Sequence, residues 1–240
     1  MMANGRVVWI TGAGSGFGSA LAERFSMNGD VVVLSGRSAG SLNVVAQKIR
    51  SNKGTCEVIP IDVQKVASVR KAANKVLRAY NRIDVLVNNA GITAFKSFEA
   101  TSEREFSKIV STNLTGMFLV TKSVLRAMLK ERQGIILNVL SYAAKTTYTG
   151  SAAYSASKTG GAAMMNVLRE ETRGKGVQVI NIYPGAIDTP MWNDRARRKF
   201  KKEMMTPWEI SALIYEATVQ KPNVVVEELV IRPQSGDLHL

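Results

Sequence analysis

Residues 7–18 read Val7-Val8-Trp9-Ile10-Thr11-Gly12-Ala13-Gly14-Ser15-Gly16-Phe17-Gly18, and this stretch decides how the chain is read. An apolar β-type run enters a glycine-rich turn, and a helical pattern, SALAERFSMNG, follows at once. Glycines let a backbone turn tightly and come close to a pyrophosphate, while the free N–H groups at a helix start favour its charge. At the first strand–helix turn of an α/β chain, that combination predicts a dinucleotide site. The spacing is TGxxxGxG, on Gly12, Gly16 and Gly18, rather than GxGxxG. Alone it would also fit a plain glycine-rich loop.

Outward from this turn, short apolar runs alternate with longer helical patterns. Residues 6–11, 31–35, 55–61, 83–88, 134–141, 177–183 and 224–231 read as strands, and 66–80 and 103–130 as helical. Several strands are almost continuously apolar (VVVLS, GIILNVL, VQVINIY), as expected when both faces are covered. The alternation predicts one α/β domain over 1–240, a Rossmann-like doubly wound parallel sheet of about seven strands with helices on both faces.

With 45% hydrophobic and 21% charged residues, the 240-residue chain is ordinary globular material rather than a disordered one. The single cysteine, Cys56, excludes an internal disulfide framework and a cysteine-rich zinc site, and a cytoplasmic location is expected. No apolar run nears the roughly 20 residues of a spanning helix, and the start lacks the pattern of a cleaved signal. The net charge of +13 leaves open a nucleic-acid binder, a membrane-surface binder or an enzyme that handles anions. Six cations fall in RARRKFKK, residues 195–202, ahead of a helix that Thr206 can cap and Pro207 can open. That run is either a solvated face or a device for capturing an anion.

Tyr154 and Lys158 lie four apart in a helical segment and so share one face. A nearby ammonium favours the phenolate of a tyrosine, whose ordinary pKa is about 10. Ser141 ends the fifth strand, where open α/β sheets place ligands, although a turn-initiating serine is the alternative. Asn113 sits mid-helix, where a buried amide needs partners. A lone Tyr–Lys pair would as readily be structural.

Taken together, TGAGSGFG, then Asn88-Asn89-Ala90-Gly91, then Tyr154-Ser155-Ala156-Ser157-Lys158 resemble the short-chain dehydrogenase/reductase family over nearly the whole chain. The resemblance implies hydride transfer between a nicotinamide and a carbonyl or alcohol carbon, without a metal. It implies that Tyr154 exchanges the proton, Lys158 lowers its pKa and binds the nicotinamide ribose, Ser141 orients the oxygen, and Asn113 holds a relay water. It also implies cofactor contacts from Gly12, Ser15, Gly16, Phe17 and Gly18, and from Asp62 and Val63 at adenine. Asn89, Ala90 and Gly91 would line the adenosine ribose. From Tyr183-Pro184-Gly185-Ala186-Ile187-Asp188-Thr189, the Pro184-Gly185 turn would lead to Ile187 at the carboxamide and Thr189 at the pyrophosphate. His239, in the tail without histidine or cysteine neighbours, reads as a surface residue.

After the second strand comes Gly36-Arg37-Ser38, where an NAD enzyme commonly carries an aspartate. Arginine offers a fork suited to phosphate, so NADP(H) is expected in preference to NAD(H), a solvent-facing arginine being the alternative. Residues 189–206 correspond to the family's substrate lid, and Met191, Trp192 and Tyr148 can form an apolar wall or simply pack. The ending ELVIRP, residues 228–233, resembles the bacterial 3-hydroxy acid/serine dehydrogenase subgroup, which implies a small polar substrate. Two alternatives stand beside it: a 3-oxoacyl-carrier-protein reductase-like enzyme, and a non-enzymatic dinucleotide sensor or nucleic-acid binder. The intact Asn113, Ser141, Tyr154 and Lys158 argue against a sensor, and no helix-turn-helix, zinc-finger or RNP motif supports nucleic acid. No membrane partner is expected; a homodimer or homotetramer through helices near 103–130 and 151–173 is.

Overall fold

The computed structural model describes residues 5–221 and 223–238. Its strands are β1 (Val7–Thr11), β2 (Val31–Ser35), β3 (Thr55–Val58), β4 (Val85–Asn88), β5 (Gly134–Val139), β6 (Val177–Pro184) and β7 (Glu228–Ile231). All pair in parallel in the order β3-β2-β1-β4-β5-β6-β7. The helices are α1 (Gly16–Met27), α2 (Ala39–Ser51), α3 (Val66–Tyr80), α4 (Glu103–Val110), α5 (Gly116–Glu131), α6 (Ala152–Thr172), α7 (Asp194–Phe200) and α8 (Pro207–Ala217).

Strand alternation explains the two cores. Val7 and Trp9 enter one apolar cluster with residues of α3, α5 and α6. Val8 and Ile10 enter another with residues of α1, α2 and α8. The sheet is therefore covered on both faces, which is why its central strands read as unbroken apolar runs. Strand order reverses between β1 and β4, and the crevice opening there is the ligand position of such sheets.

Three asparagines lie side by side across β4, β5 and β6: Asn88, Asn138 and Asn181. Asn88 Nδ2 donates to Asn138 Oδ1 at 2.9 Å, and Asn138 Nδ2 to Asn181 Oδ1 at 3.0 Å. Asn181 then donates to Asn166 of α6 at 2.9 Å. These amide-to-amide bonds tie the three strands in register, while Asn88 Oδ1 at the start of the ladder is buried without a partner.

Element ends differ from the sequence reading for local reasons. The strand expected over 55–61 is assigned only to Val58, although Ile59 and Ile61 continue the bonding to Leu34 and Gly36; Pro60 between them sits with its nitrogen on the open edge of the sheet, where no ladder bond is lost. The strand expected from 224 begins at Glu228, since Val224 turns back onto Lys221. Ser141 lies two residues past β5, as the N-cap of a short 3₁₀ turn, Tyr142–Ala144. The helix expected over 103–130 is interrupted by a π-helical turn, Ser111–Thr115. His239 lies outside the described residues.

No described helix is long and apolar enough to cross a membrane.

Candidate active site

The glycine turn is built by its backbone. Gly12 and Gly16 have φ of 68° and 54°, which only glycine adopts without strain. A Cβ on Gly18 would strike the Gly12 carbonyl and the Asn89 amide. Asn89 Nδ2 donates to the carbonyls of Thr11 and Gly12 at 3.0 and 3.1 Å, and Thr11 Oγ1 accepts from the N–H groups of Asn89 and Ala90. The first turn and the 88–91 segment are thus clamped together. Ser15 caps α1 without using its side chain.

Beside this turn runs a cleft of about 850 Å³. It gathers most of the sequence-predicted cofactor residues: Gly12, Ser15, Gly16, Phe17 and Gly18 from the turn, and Arg37, Asp62, Val63, Asn89, Ala90, Gly91 and Thr189 from later loops. Thr93, whose buried hydroxyl has no protein partner, also lines it. Pro184 and Gly185 do not reach this wall. Ile187 is buried and bridges to Met205; Ala186 and Asp188 make the bridge's hydrogen bonds, so the Ile187 N–H and C=O face the other way.

The catalytic candidates gather next to Gly91 of the cleft wall rather than in the lining itself. Lys158 is 3% exposed, and its Nζ donates to the Val139 carbonyl at 2.7 Å and lies 5.7 Å from the centre of the Tyr154 ring. Burial brings the Lys158 ammonium down to about 8. Burial pushes the Tyr154 phenol up, and the neighbouring Ser141 side chain opposes that rise. Ser141 Oγ itself accepts from the Ala143 N–H at 3.1 Å.

Asn113 is fully buried in the π turn. Its Nδ2 donates to the Ile92 carbonyl and to Ser157 Oγ at 2.9 and 3.0 Å, and its Oδ1 accepts from the Ile92 N–H at 2.9 Å. A Cβ on Gly91 would sit 3.5 Å from Asn113 Oδ1 and 3.6 Å from Lys158 Nζ, so these three residues form one cluster.

One wall was not read from sequence. Phe95 stacks on Trp192, with centroids 5.6 Å apart and planes 13° apart, and its ring lies 6.4 Å from that of Tyr154. Phe95 sits in an aperiodic loop, so no pattern singled it out. Tyr148 points elsewhere, its hydroxyl on Asp237 Oδ1 at 2.5 Å. In the basic run, Arg197 pairs with Asp188 at 2.7 Å, while Arg195, Arg198, Lys199, Lys201 and Lys202 are exposed. Among the described residues no group of acidic, histidine or cysteine side chains could hold a metal.

Residues 6–199 match the family model for short chain dehydrogenase. The chain is 33% identical over 239 residues to a sepiapterin reductase of Chlorobaculum tepidum, covering 97% of this chain and 98% of that one. It is also 33% identical over 204 residues to a 3-oxoacyl-[acyl-carrier-protein] reductase of Aquifex aeolicus, covering 83% and 82%. Among solved structures, a variant of actinorhodin polyketide ketoreductase with NADPH superposes with a TM-score of 0.91 at 27% identity, over 99% of this chain and 100% of that one. An alcohol dehydrogenase from the archaeon Thermococcus sibiricus, complexed with 5-hydroxy-NADP, gives 0.89 at 27% identity, over 98% and 99%. The chain belongs to the short-chain dehydrogenase/reductase family of oxidoreductases.

Proposed function

We propose that the protein is an NADP(H)-dependent reductase of carbonyl groups and dehydrogenase of the corresponding alcohols. The observation that carries this reading is the meeting of Ser141, Tyr154 and Lys158 beside Gly91 of a glycine-lined cleft. The cleft suits a dinucleotide: its size is adequate, its glycine-rich first turn leads straight into the N-terminus of α1, and Thr93, whose buried hydroxyl has no protein partner, is among its lining residues. Gly12 to Gly18 would hold the pyrophosphate with Thr189, Asp62 and Val63 the adenine, and Asn89 to Gly91 the ribose. Lys158 would hold the nicotinamide ribose, and the Ile187 backbone, whose N–H and C=O are free of the Met205 bridge, the carboxamide. Arg37 lines the same cleft with Gly36 beside it, so a 2′-phosphate meets a guanidinium and no carboxylate. Structures holding NADP or NADPH among the relatives agree with this preference.

When bound, the nicotinamide supplies or accepts the hydride at the carbonyl carbon. The chain handles the oxygen and its proton. At neutral pH the raised pKa of Tyr154 keeps it a phenol, the form that donates a proton as the carbonyl is reduced. Ser141 hydrogen-bonds the same oxygen as charge develops on it. Lys158 steadies the resulting phenolate, since a nearby ammonium favours the charged form. Asn113 fixes Ile92 and Gly91 beside the ammonium and completes the path by which the proton is replaced from water.

For the substrate, the stacked Phe95 and Trp192 favour a flat, conjugated carbonyl compound, and the sepiapterin reductase relative agrees. For the small 3-hydroxy acid implied by the C-terminal resemblance, Arg197 is taken up by Asp188, which leaves the five exposed cations of the run as its carboxylate partners. A 3-oxoacyl-[acyl-carrier-protein], the compound in the name of the Aquifex aeolicus relative, is the remaining competitor. We read the assembly as a homodimer or homotetramer, since Phe106, Phe118 and Val167 lie exposed on α4, α5 and α6. A cytoplasmic location suits the single free thiol.

The test follows cofactor absorbance with NADPH and NADH against phenanthrenequinone, acetoacetate and acetoacetyl-pantetheine. Phenanthrenequinone reduction with NADPH is expected to lead, and Tyr154→Phe to abolish it while NADPH still binds. Turnover that survives Tyr154→Phe would overturn the reading.

A further inference from the structure

Beyond β7 the chain does not leave the molecule; it crosses the catalytic end of the sheet. The Gly185 N–H donates to the Ile231 carbonyl at 2.8 Å, and a Cβ on Gly185 would lie 3.0 Å from Pro233 Cδ. The segment then turns at Gly236, whose N–H donates to the Pro233 carbonyl at 2.9 Å. Asp237 finishes the turn with both carboxylate oxygens engaged. Oδ1 accepts from the Tyr148 hydroxyl at 2.5 Å, and Oδ2 pairs with Arg232 Nη2 at 3.0 Å. The Arg232 guanidinium in turn lies 4.2 Å from the centre of the Tyr142 ring.

A second tie sits beside the first. Lys145 Nζ meets Glu228 Oε2 at 2.8 Å, and the Tyr183 hydroxyl donates to Glu228 Oε1 at 2.9 Å. The loop that follows Ser141 is therefore gripped at Tyr142, Lys145 and Tyr148 by three residues from the last stretch of the chain. On its far side the same loop is tied once, where the Lys96 N–H donates to the Gly150 carbonyl at 2.8 Å.

We propose that Arg232–Asp237 is a strap that positions Ser141 for the reaction, with Asp237 as its key positioning residue. The proposal rests on the reading of Ser141 and Tyr154 given above. Ser141 caps the 3₁₀ turn that begins this loop, where its oxygen accepts from the Ala143 N–H and neighbours the Tyr154 hydroxyl. Its direction therefore depends on where the loop sits. Asp237 is the junction because one carboxylate serves both Tyr148 and Arg232. Charge-assisted bonds are stronger than neutral ones, and the planar guanidinium passes the constraint on to Tyr142. Each tie is partly exposed and would add little to global stability, so the effect of loosening them falls on geometry at Ser141.

The experiment compares Asp237→Asn, Tyr148→Phe, the double variant and Asp237→Glu with the parent protein, with phenanthrenequinone and NADPH as probes. Both single variants are expected to lose about tenfold in kcat, since small misplacements near reacting atoms cost this much or more. NADPH affinity, read by protein fluorescence, and Tm should stay close to the parent values. The double variant should be no worse than either single one, and Asp237→Glu should recover part of the rate. In the free protein, amides 141–150 should exchange with solvent faster in Asp237→Asn, a readout that needs no turnover. Parent-like kcat and exchange in Asp237→Asn, or additive losses in the double variant, would overturn the strap alone. Unchanged turnover in Tyr154→Phe would overturn the reading of the site, and the strap with it.

Discussion

Lys158 offers the sharpest physical test, because an ammonium 3% exposed with its pKa at about 8 lies well below the ordinary 10.5. The displacement corresponds to roughly 3 kcal/mol by which burial disfavours the charged lysine, at 1.36 kcal/mol per pKa unit. Between pH 8 and 10.5 the folded protein carries a neutral amine while the unfolded chain keeps its proton. The unfolded state binds more protons there, so stability rises with pH across that window. Below pH 8 the penalty is fully present; above 10.5 it is gone. Lys158→Met removes it at every pH. The variant also loses the bond to the Val139 carbonyl, at a cost of about 1–3 kcal/mol that does not depend on pH. Urea unfolding of both proteins at pH 7, 8, 9 and 10 isolates the titrating part. From pH 7 to 10 the gap between them should move in favour of the parent by roughly 2 kcal/mol. A gap that stays constant to within about 0.5 kcal/mol would refute the claim that the folded chain holds a desolvated ammonium at this position.

Arg37→Ala should raise the KM for NADPH by about 10–100-fold while leaving NADH nearly unchanged, the expected loss of a charge-assisted phosphate contact; equal effects on both cofactors in steady-state assays would count against it. Asn113→Leu removes one buried and two partly buried hydrogen bonds and strands both polar groups of Ile92, so stability should fall by about 2–4 kcal/mol in urea titrations, with activity lost too. Trp192→Ala should weaken phenanthrenequinone more than acetoacetate, read as separate KM values; matched changes would remove the aromatic wall from substrate recognition.

What could be read from sequence follows from what is local or periodic. The strands of residues 31–35 and 177–183 were legible because burial on both faces leaves an apolar run with nothing to alternate. The glycine turn was legible because positive φ at Gly12 and Gly16 demands that residue type. Strand ends were not, since they depend on local backbone details such as the reversal at Val224. The stacking of Phe95 on Trp192 joins two aperiodic loops nearly a hundred residues apart, and the grip of Asp237 on Tyr148 joins the tail to a mid-chain loop. Neither leaves a repeating pattern in the chain. Composition was likewise silent on the use of the basic run: five of its six cations stay exposed, and the sixth closes an ion pair that sequence spacing alone would not have selected.

The π turn at Ser111–Thr115 explains why a single helix was expected and why the site needs it not to be one. Ile109, Asn113 and Met117 are spaced by fours and all are buried. In a straight α-helix of 3.6 residues per turn, each step of four overshoots by about 40°, so Met117 would be turned roughly 80° away from Ile109. A π turn, with its wider i→i+5 bonding, absorbs that drift. Asn113 is then aimed at Ile92 and Ser157 while Met117, Val120 and Val124 still enter the core. A run of apolar residues at threes and fours tolerates either pitch, and so conceals the change. The local irregularity is the means by which one continuous helical segment presents an amide to the site and its apolar face to the sheet, and the three hydrogen bonds of Asn113 hold the turn in that form.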